Sequence, residues 1–475
     1  MAQDNDSRFA IFATLLAFGL VGGVSLLLWS LTERGTVQLQ SNNNNSIINS
    51  DALPDAVKTR VSAGENVLFP DASDAKQEGI EAIAQSNFAG AVTALNASLS
   101  SQPNDPESFI YRSNARIGDD RALTIAVIAP AGEASPIGLE ILRGAAQAQD
   151  DINRGGGVDG LPVKLILIND ENDVDLAQTI SSSLVEDPSV LGVVGHYSSD
   201  VTLATAPIYE QGELVTITPV STAVDLSGLS PYLYRTVPAD SFAAAALSAY
   251  MLYYNDDRQA MVFYDSTSET SESLREEFFS FVTAWGGDIV EEYDMADSGF
   301  TADVLSEVEE KGIDALMLAA SPATMDESAE VITANRNKLP ILAGNNLYNR
   351  AILEETGPDA RALTVAVPWH LLSRDTVSDF VETSRDLWKG DVSWRTATAY
   401  DAVIAIAAGL TGDATREGLK AALDDNNFSV DSATGPINFL PSGDRRQVDR
   451  LVVVEPGTRS GAGYDFVPFT LDEPQ

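Results

Sequence analysis

From residue 123 onward the chain alternates short apolar runs with amphipathic stretches, and few folds accept that alternation. The apolar runs at 123–129, 163–168, 190–194 and 214–217 have the length and β-branched content of buried strands. Helical periodicity fills the gaps at 137–153, 174–186 and 201–209. A second series predicts strands at 260–264, 288–292, 315–319, 341–342 and 363–367, with helices at 273–285, 302–311 and 325–335. Alternation at this spacing builds right-handed βαβ units, whose parallel sheets carry helices on both faces. Two such series predict an α/β architecture of two doubly wound, parallel-sheet lobes. The helix at 393–410 and the strands near 437–439 and 451–454 follow both series and could close either lobe.

Two neighbouring strands of the first series release hydroxyl-rich loops at their carboxyl ends. After 190–194 come Gly195 and then Ser198, Ser199 and Asp200; after 214–217 comes Thr218-Pro219-Val220-Ser221-Thr222. Ligands of open α/β sheets bind at that end of the strands. A helix N-terminus with free N–H groups there favours an anion. Taken singly, these hydroxyls could serve only as helix caps. Together they predict a small-ligand site.

Composition removes several alternatives. The formal charge of −41 repels nucleic acid and anionic lipid, so neither is expected as a partner of the soluble part. The acids are scattered through the chain, as in a protein bathed directly by a salty medium. Cysteine is absent and only His196 and His370 are present, so thiolate and histidine-rich metal sites are not expected. No G-x-S-x-G elbow, P-loop or H-E-x-x-H occurs, and no catalysis and no cofactor are expected. His196 adjoins Ser198 and Ser199, but catalytic triads draw on distant segments. The run Gly155-Gly156-Gly157 follows a helix and precedes a strand, the reverse of a phosphate loop, and reads as a turn.

The N-terminal quarter is organised differently. Residues 9–31 form a 23-residue run without a charge, long enough to span a bilayer. Trp29 stands where an interfacial anchor would lie, and no small-x-small cleavage site follows, so a retained membrane anchor is expected over 1–35. Residues 36–73 are expected to form a polar stalk, with four consecutive asparagines at 42–45. Residues 74–120 are expected to be helical. Gly79, Ala91, Leu95 and Pro103 fall at the small, small, large and proline positions of a helix-turn-helix repeat, with Asn87 in the turn. This segment is similar to one tetratricopeptide repeat with part of a second. A plain helical hairpin packed on the following domain would look the same.

The ordered landmarks beyond Ala126 resemble a known family. They are Ile128-Ala129-Pro130, Gly138 and Gly144 before Asp151-Ile152-Asn153, and Gly155-Gly156-Gly157-Val158. Next come Val194-Gly195-His196-Tyr197-Ser198-Ser199, Pro207-Ile208-Tyr209, Thr218-Pro219 and Tyr234-Arg235-Thr236 with Pro238. The run 396–403 (TATAYDAV), Gly435-Pro436-Ile437-Asn438-Phe439 and Gly443-Asp444-Arg445 complete the set. The chain thus resembles the type I periplasmic binding proteins, in particular the branched-chain amino-acid-binding group of ABC transporters. With its anchor and repeat module it is similar to the extended forms found in cyanobacteria.

That resemblance implies two discontinuous lobes joined by three crossovers near Pro238, Pro368 and Asn427. Lobe 1 is then expected over 121–238 and 369–427, lobe 2 over 239–368 and 428–457, and a C-terminal tail over 458–475. It also implies a cleft that closes on a small ligand. By resemblance, Ser199 meets the ligand carboxylate, Thr222 contributes from the next loop with Ser221 beside it, and Val220 offers backbone; Ser198 lies next to Ser199. The acid that pairs with a ligand ammonium aligns at Asn345, which is uncharged. Aromatics usual near Ile137, Glu269 and Ser321 are missing, and Asp200 or Asp265 could supply a substitute charge. Asp401, inside an apolar helical pattern, could reach the cleft or the hinge or bond a neighbouring backbone group.

Two function classes follow. One is a binding component that hands an amino acid, or a related small carboxylate or amide, to ABC permease subunits. The other is a membrane-anchored sensor or scaffold whose helical repeat recruits a partner. Only eight residues precede the membrane run, which leaves no room for a cytoplasmic output domain and favours transport.

Overall fold

The sequence folds into two mixed sheets because its central strands are apolar throughout and most of its helices on one side only. The computed structural model describes residues 54–70, 72–132, 134–255, 258–373 and 378–470. The expected membrane run at 9–31 and the asparagine tract lie outside the described residues. Among the described residues no helix is long and apolar enough to cross a membrane.

Three helices come first: α1 (Asp74–Ala84), α2 (Phe88–Ser101) and α3 (Pro106–Ile117), capped by Ser73, Asn87 and Asp105. Gly79 has no room for a Cβ, which would lie 2.6 Å from Leu95 Cγ, so α1 and α2 pack closely there. The third helix is the one that docks. Asn114 of α3 donates to Ala63 O at 2.9 Å and to Leu165 O at 2.7 Å, and Phe109 meets Trp388 at 5.5 Å between ring centroids.

The first sheet has the order β1-β3-β2-β4-β5-β6. Its strands are β1 (Val61–Ser62), β2 (Leu123–Ile128), β3 (Val163–Ile168), β4 (Val190–Val194), β5 (Thr216–Thr218) and β6 (Leu233–Arg235). Between them run α4 (Ser135–Arg154), α5 (Val174–Glu186) and α6 (Ser199–Gln211). The second sheet has the order β13-β12-β11-β10-β9-β7-β8. It comprises β7 (Gln259–Tyr264), β8 (Asp288–Asp294), β9 (Ala315–Ala319), β10 (Ile341–Ala343), β11 (Leu363–Val367), β12 (Arg450–Pro456) and β13 (Tyr464–Pro468). Its helices include α7 (Asp240–Ala249), α8 (Glu269–Ala284), α9 (Met325–Asn335) and α10 (Arg350–Thr356). Every residue of β9 and β11 is buried, as expected of central parallel strands covered on both faces.

After β11 the chain returns to the first lobe with α11 (Ser378–Trp388), α12 (Trp394–Gly409) and α13 (Arg416–Leu423). Gly144 explains how α12 seats on α4: a Cβ there would lie 2.2 Å from Thr396 O and 2.7 Å from Tyr400 N. The two helix backbones touch, and only glycine fits between them. The chain then crosses once more to place β12 and β13 in the second sheet.

Four expectations are corrected. The sheets are not wholly parallel: β1 runs antiparallel to β3, and β12 and β13 run antiparallel on the edge beside β11. The expected stalk over 36–73 ends as docked chain, because Val57, Val61 and Phe69 bury their side chains and Val61 pairs with Ile168. The expected tail over 458–475 contains β13, whose Phe466 is buried. Residues 437–439 form only isolated bridges, Val430 to Ile437 and Phe439 to Arg445, where Pro436 and Pro441 deny a longer ladder its donors.

Candidate ligand-binding cleft

The carboxyl ends of β4 and β5 bring the two hydroxyl-rich loops side by side. Ser198 caps α6, its Oγ accepting from Val201 N at 3.3 Å. Ser199 opens the helix with its side chain sealed from solvent, and its Oγ accepts from Ala223 N at 3.2 Å. The adjoining loop is braced by Ser221, whose Oγ lies 2.8 Å from Thr202 Oγ1, accepts from Thr218 Oγ1 at 2.9 Å and donates to Tyr197 O at 3.1 Å. That network commits Ser221 to holding the loops together. Val220 and Thr222 are buried beside it, and Thr222 Oγ1 makes no hydrogen bond. His196 is likewise structural: Nδ1 lies 2.7 Å from Asp170 Oδ2 and Nε2 lies 3.0 Å from Tyr209 OH.

The second lobe closes directly onto these loops. Thr270 at the start of α8 donates to Ser199 Oγ at 3.0 Å, and Val224 N donates to Ser273 Oγ at 2.9 Å. Glu269 N approaches Asp200 Oδ1 at 3.5 Å. Burial, followed by the charges of Asp200 and Asp225, raises the Glu269 carboxyl above the usual range. Asp200 is therefore a rim residue facing another acid.

The remaining expected residues are placed unevenly. Asp265 is fully buried, and its carboxylate accepts from Thr267 N at 2.8 Å, Thr267 Oγ1 at 2.6 Å and the hydroxyl of Ser321. These bonds occupy Asp265, and Ser321 also caps the turn at 322–324, so both hold the loops of lobe 2. Asn345 is buried and no hydrogen bond joins its side-chain amide to other described residues, whereas neighbouring Asn346 donates to Ala320 O at 2.9 Å. Ile137 packs at the start of α4 against the main core.

A polar group in the same region went unremarked in the sequence. Tyr197, one residue before Ser198, is buried; burial and Glu140 push its phenol up to about 12 while Arg395 pulls the other way. Tyr348, three residues beyond Asn345 in lobe 2, is raised by burial and by Glu140 and lowered by Arg395. Arg395 is 6% exposed, stacks on Trp394 at 4.5 Å and approaches Glu140 at 3.9 Å. Only the aromatic in His196-Tyr197-Ser198 gave a sequence signal; Glu140 and Arg395 sit on helices far apart in the chain.

Among the described residues no cluster suited to a metal ion occurs. A family model described as periplasmic binding protein matches residues 122–461. The chain is 29% identical over 136 residues to the amino acid binding protein of Pseudomonas aeruginosa, spanning 28% of this chain and 36% of that protein. It is 23% identical over 339 residues to the Leu/Ile/Val-binding protein of Escherichia coli, spanning 70% of this chain and 90% of that protein. Among solved structures it is similar to one described as a branched-chain amino acid ABC transporter from Rhodospirillum rubrum. That likeness has 25% identity and a TM-score of 0.58 and covers 74% of this chain and 100% of the other.

Proposed function

Because this chain belongs to the periplasmic binding protein family, we propose that it captures an amino acid or a related small carboxylate or amide between its lobes. It delivers that ligand to the permease subunits of an ABC transporter. The observation that carries the reading is the meeting of Ser199, at the N-terminus of α6 in lobe 1, with Thr270 of lobe 2. A ligand carboxylate takes the place of the Thr270 hydroxyl there. It receives the Ser199 hydroxyl, the Thr222 hydroxyl and the free N–H groups of the first turn of α6. Val220 contributes backbone, and the Asn345 amide stands where an acid would meet an ammonium.

The protein works outside the cytoplasm, as its relatives' family name implies, tethered by the charge-free run at 9–31. Mass spectrometry of protein purified without refolding should identify the small molecule it carries, and calorimetry should show saturable binding of that molecule. A protein that carries none, and binds neither L-leucine nor other small carboxylates, would refute the proposal. A pull-down that recovers permease subunits tests the transport role separately.

A further inference from the structure

An acid at the first crossover bears on which small carboxylate the cleft accepts. Asp240 opens α7, is 2% exposed, and its Oδ2 has no hydrogen-bond partner. Thr222 is equally buried, and its Oγ1 is also without a partner. The two residues are bonded through their backbones, Asp240 N donating to Thr222 O at 2.8 Å. The N–H of that same peptide group belongs to Ala223 and donates to Ser199 Oγ at 3.2 Å. One peptide group thus separates Asp240 from the serine at the N-terminus of α6. Ser273 of α8 accepts from the next amide, Val224 N, at 2.9 Å, so the second lobe closes over the same loop.

A carboxylate sealed in this way is costly unless a donor or a cation meets it. The cation that acts on Asp240 is engaged elsewhere: Arg235 Nε donates to Asp444 Oδ1 at 2.6 Å and Nη1 to Ala223 O at 2.8 Å. Glu277 and Asp449 add negative charge to the surroundings, and the hydroxyls of Thr222 and Ser273 are the neutral groups beside the carboxyl. The other acids of the cleft are not free to serve a ligand. Asp265 is held by Thr267 and the Ser321 hydroxyl, Asp200 lies on the rim facing Glu269, and position 345 is an uncharged asparagine. A ligand with a carboxylate alone would set a second negative charge beside Asp240, and like charges there repel. A zwitterion with both charges on one carbon offers Ser199 an anion and Asp240 a cation.

Resting on the transport reading above, we propose that Asp240 holds the ligand's α-ammonium in place of the acid absent at Asn345, so that the cleft selects α-amino acids over simple carboxylates and amides. Asp240 Oδ2 accepts from the ammonium. The Thr222 hydroxyl, between the two ligand charges, accepts from the ammonium and donates to the carboxylate.

Titration calorimetry on the intact protein with matched pairs tests this: L-leucine against 4-methylpentanoate, L-alanine against propanoate, L-glutamate against glutarate, and any co-purified amino acid against its deaminated acid. In the pair that binds, the native protein should hold the amino acid at least about tenfold more tightly than its partner. Asp240→Asn should weaken the amino acid about 10- to 100-fold and leave the deaminated acid within about threefold, which removes the preference. Asp240→Glu should recover part of the loss. A general structural defect would weaken both members of the pair alike, and circular dichroism melts of each variant report folding independently. If the native protein binds both members equally, or prefers the deaminated acid, the inference fails while the transport reading stands. It fails in the same way if Asp240→Asn keeps the preference and Asn345→Ala abolishes it. If no probe binds and no small carboxylate co-purifies, both readings fail.

Discussion

Arg445 donates to the Asp401 carboxylate at 2.8 Å, and both side chains are sealed from solvent. The bond joins α12, which packs on lobe 1, to the loop that leads into β12 of lobe 2. A parallel pair lies alongside: Arg235 Nε donates to Asp444 Oδ1 at 2.6 Å. Two buried ion pairs thus fasten the chain where it passes between the lobes. Removing one member leaves an unpaired charge in a low-dielectric setting. Asp401→Ala should therefore destabilise the protein by about 3–5 kcal/mol. Replacing Asp401 and Arg445 together by apolar residues should cost less than the single change. Urea unfolding of the native protein and the two variants measures both quantities, and equal losses would argue against a charge left stranded.

A second acidic pair predicts the pH dependence. Asp240 opens α7 after the first crossover, and Asp449 directly precedes β12. Burial pushes Asp240 up to about 6 against the neighbouring hydroxyls of Thr222 and Ser273; burial and the Asp240 charge push Asp449 up to about 8. Asp449 keeps some solvent contact, which weakens its share of the effect. Both folded values lie above the unfolded ones, so the native state binds more protons between about pH 4 and 8. Stability should be greatest at the acid end of that window and fall as pH rises through it. The Asp240 contribution is at most about 2–3 kcal/mol. Asp240→Asn should flatten the slope between pH 5 and 8 and raise stability at pH 8. A slope unchanged by that substitution would assign it to other groups.

The lobes meet through Thr270 and Ser273, and such a latch is testable. Thr270→Val keeps the shape and removes the donor to Ser199, a bond worth about 0.5–1.5 kcal/mol. Small-angle scattering of the unliganded variant should show a larger radius of gyration than the native protein. Identical curves would mean that packing alone holds the cleft closed.

The helical segment at 74–117 should be inseparable from lobe 1. Asn114 donates to Ala63 O and Leu165 O and accepts from Gln149 Nε2 at 2.8 Å and from Leu165 N at 3.3 Å. Asn114→Ala would strand several buried groups and should cost about 2–4 kcal/mol. Faster proteolysis at the connection 118–122 than in the native protein would show undocking.

The fold was legible because β-branched runs and amphipathic periods are local signals. The strands at 163–168, 190–194, 315–319 and 363–367 coincide with the observed bounds. Short elements were not legible: β6 has three residues and β1 has two, too few for a period to register. Of the site, Ser199 and Thr222 lie together as the two loops suggested. The roles of Asp265 and Ser321 became visible only in three dimensions, since a buried carboxylate bonding its own loop has the same sequence as one awaiting a ligand. Arg395 and Glu140 could not be paired from sequence, being 255 positions apart on helices that a glycine contact brings together.

The carboxylate site makes the sharpest claim about individual residues. In the closed form Ser199 Oγ accepts from Thr270 and from Ala223 N, which leaves its own proton to donate. Thr222 Oγ1 has no hydrogen-bond partner, although the Asp240 carboxyl is near enough to feel it. A ligand carboxylate entering here would gain both hydroxyls as donors at the N-terminus of α6. Hydrogen bonds to a charged group are worth about 1.5–3 kcal/mol. Ser199→Ala and Thr222→Val should each weaken binding of the co-purified ligand about tenfold or more. The double variant should lose less than the product, because both hydroxyls serve one ligand group. Ser199→Ala also removes the acceptor of Ala223 N and should lower stability by about 1 kcal/mol. Unchanged affinity in both variants would place the carboxylate elsewhere in the cleft.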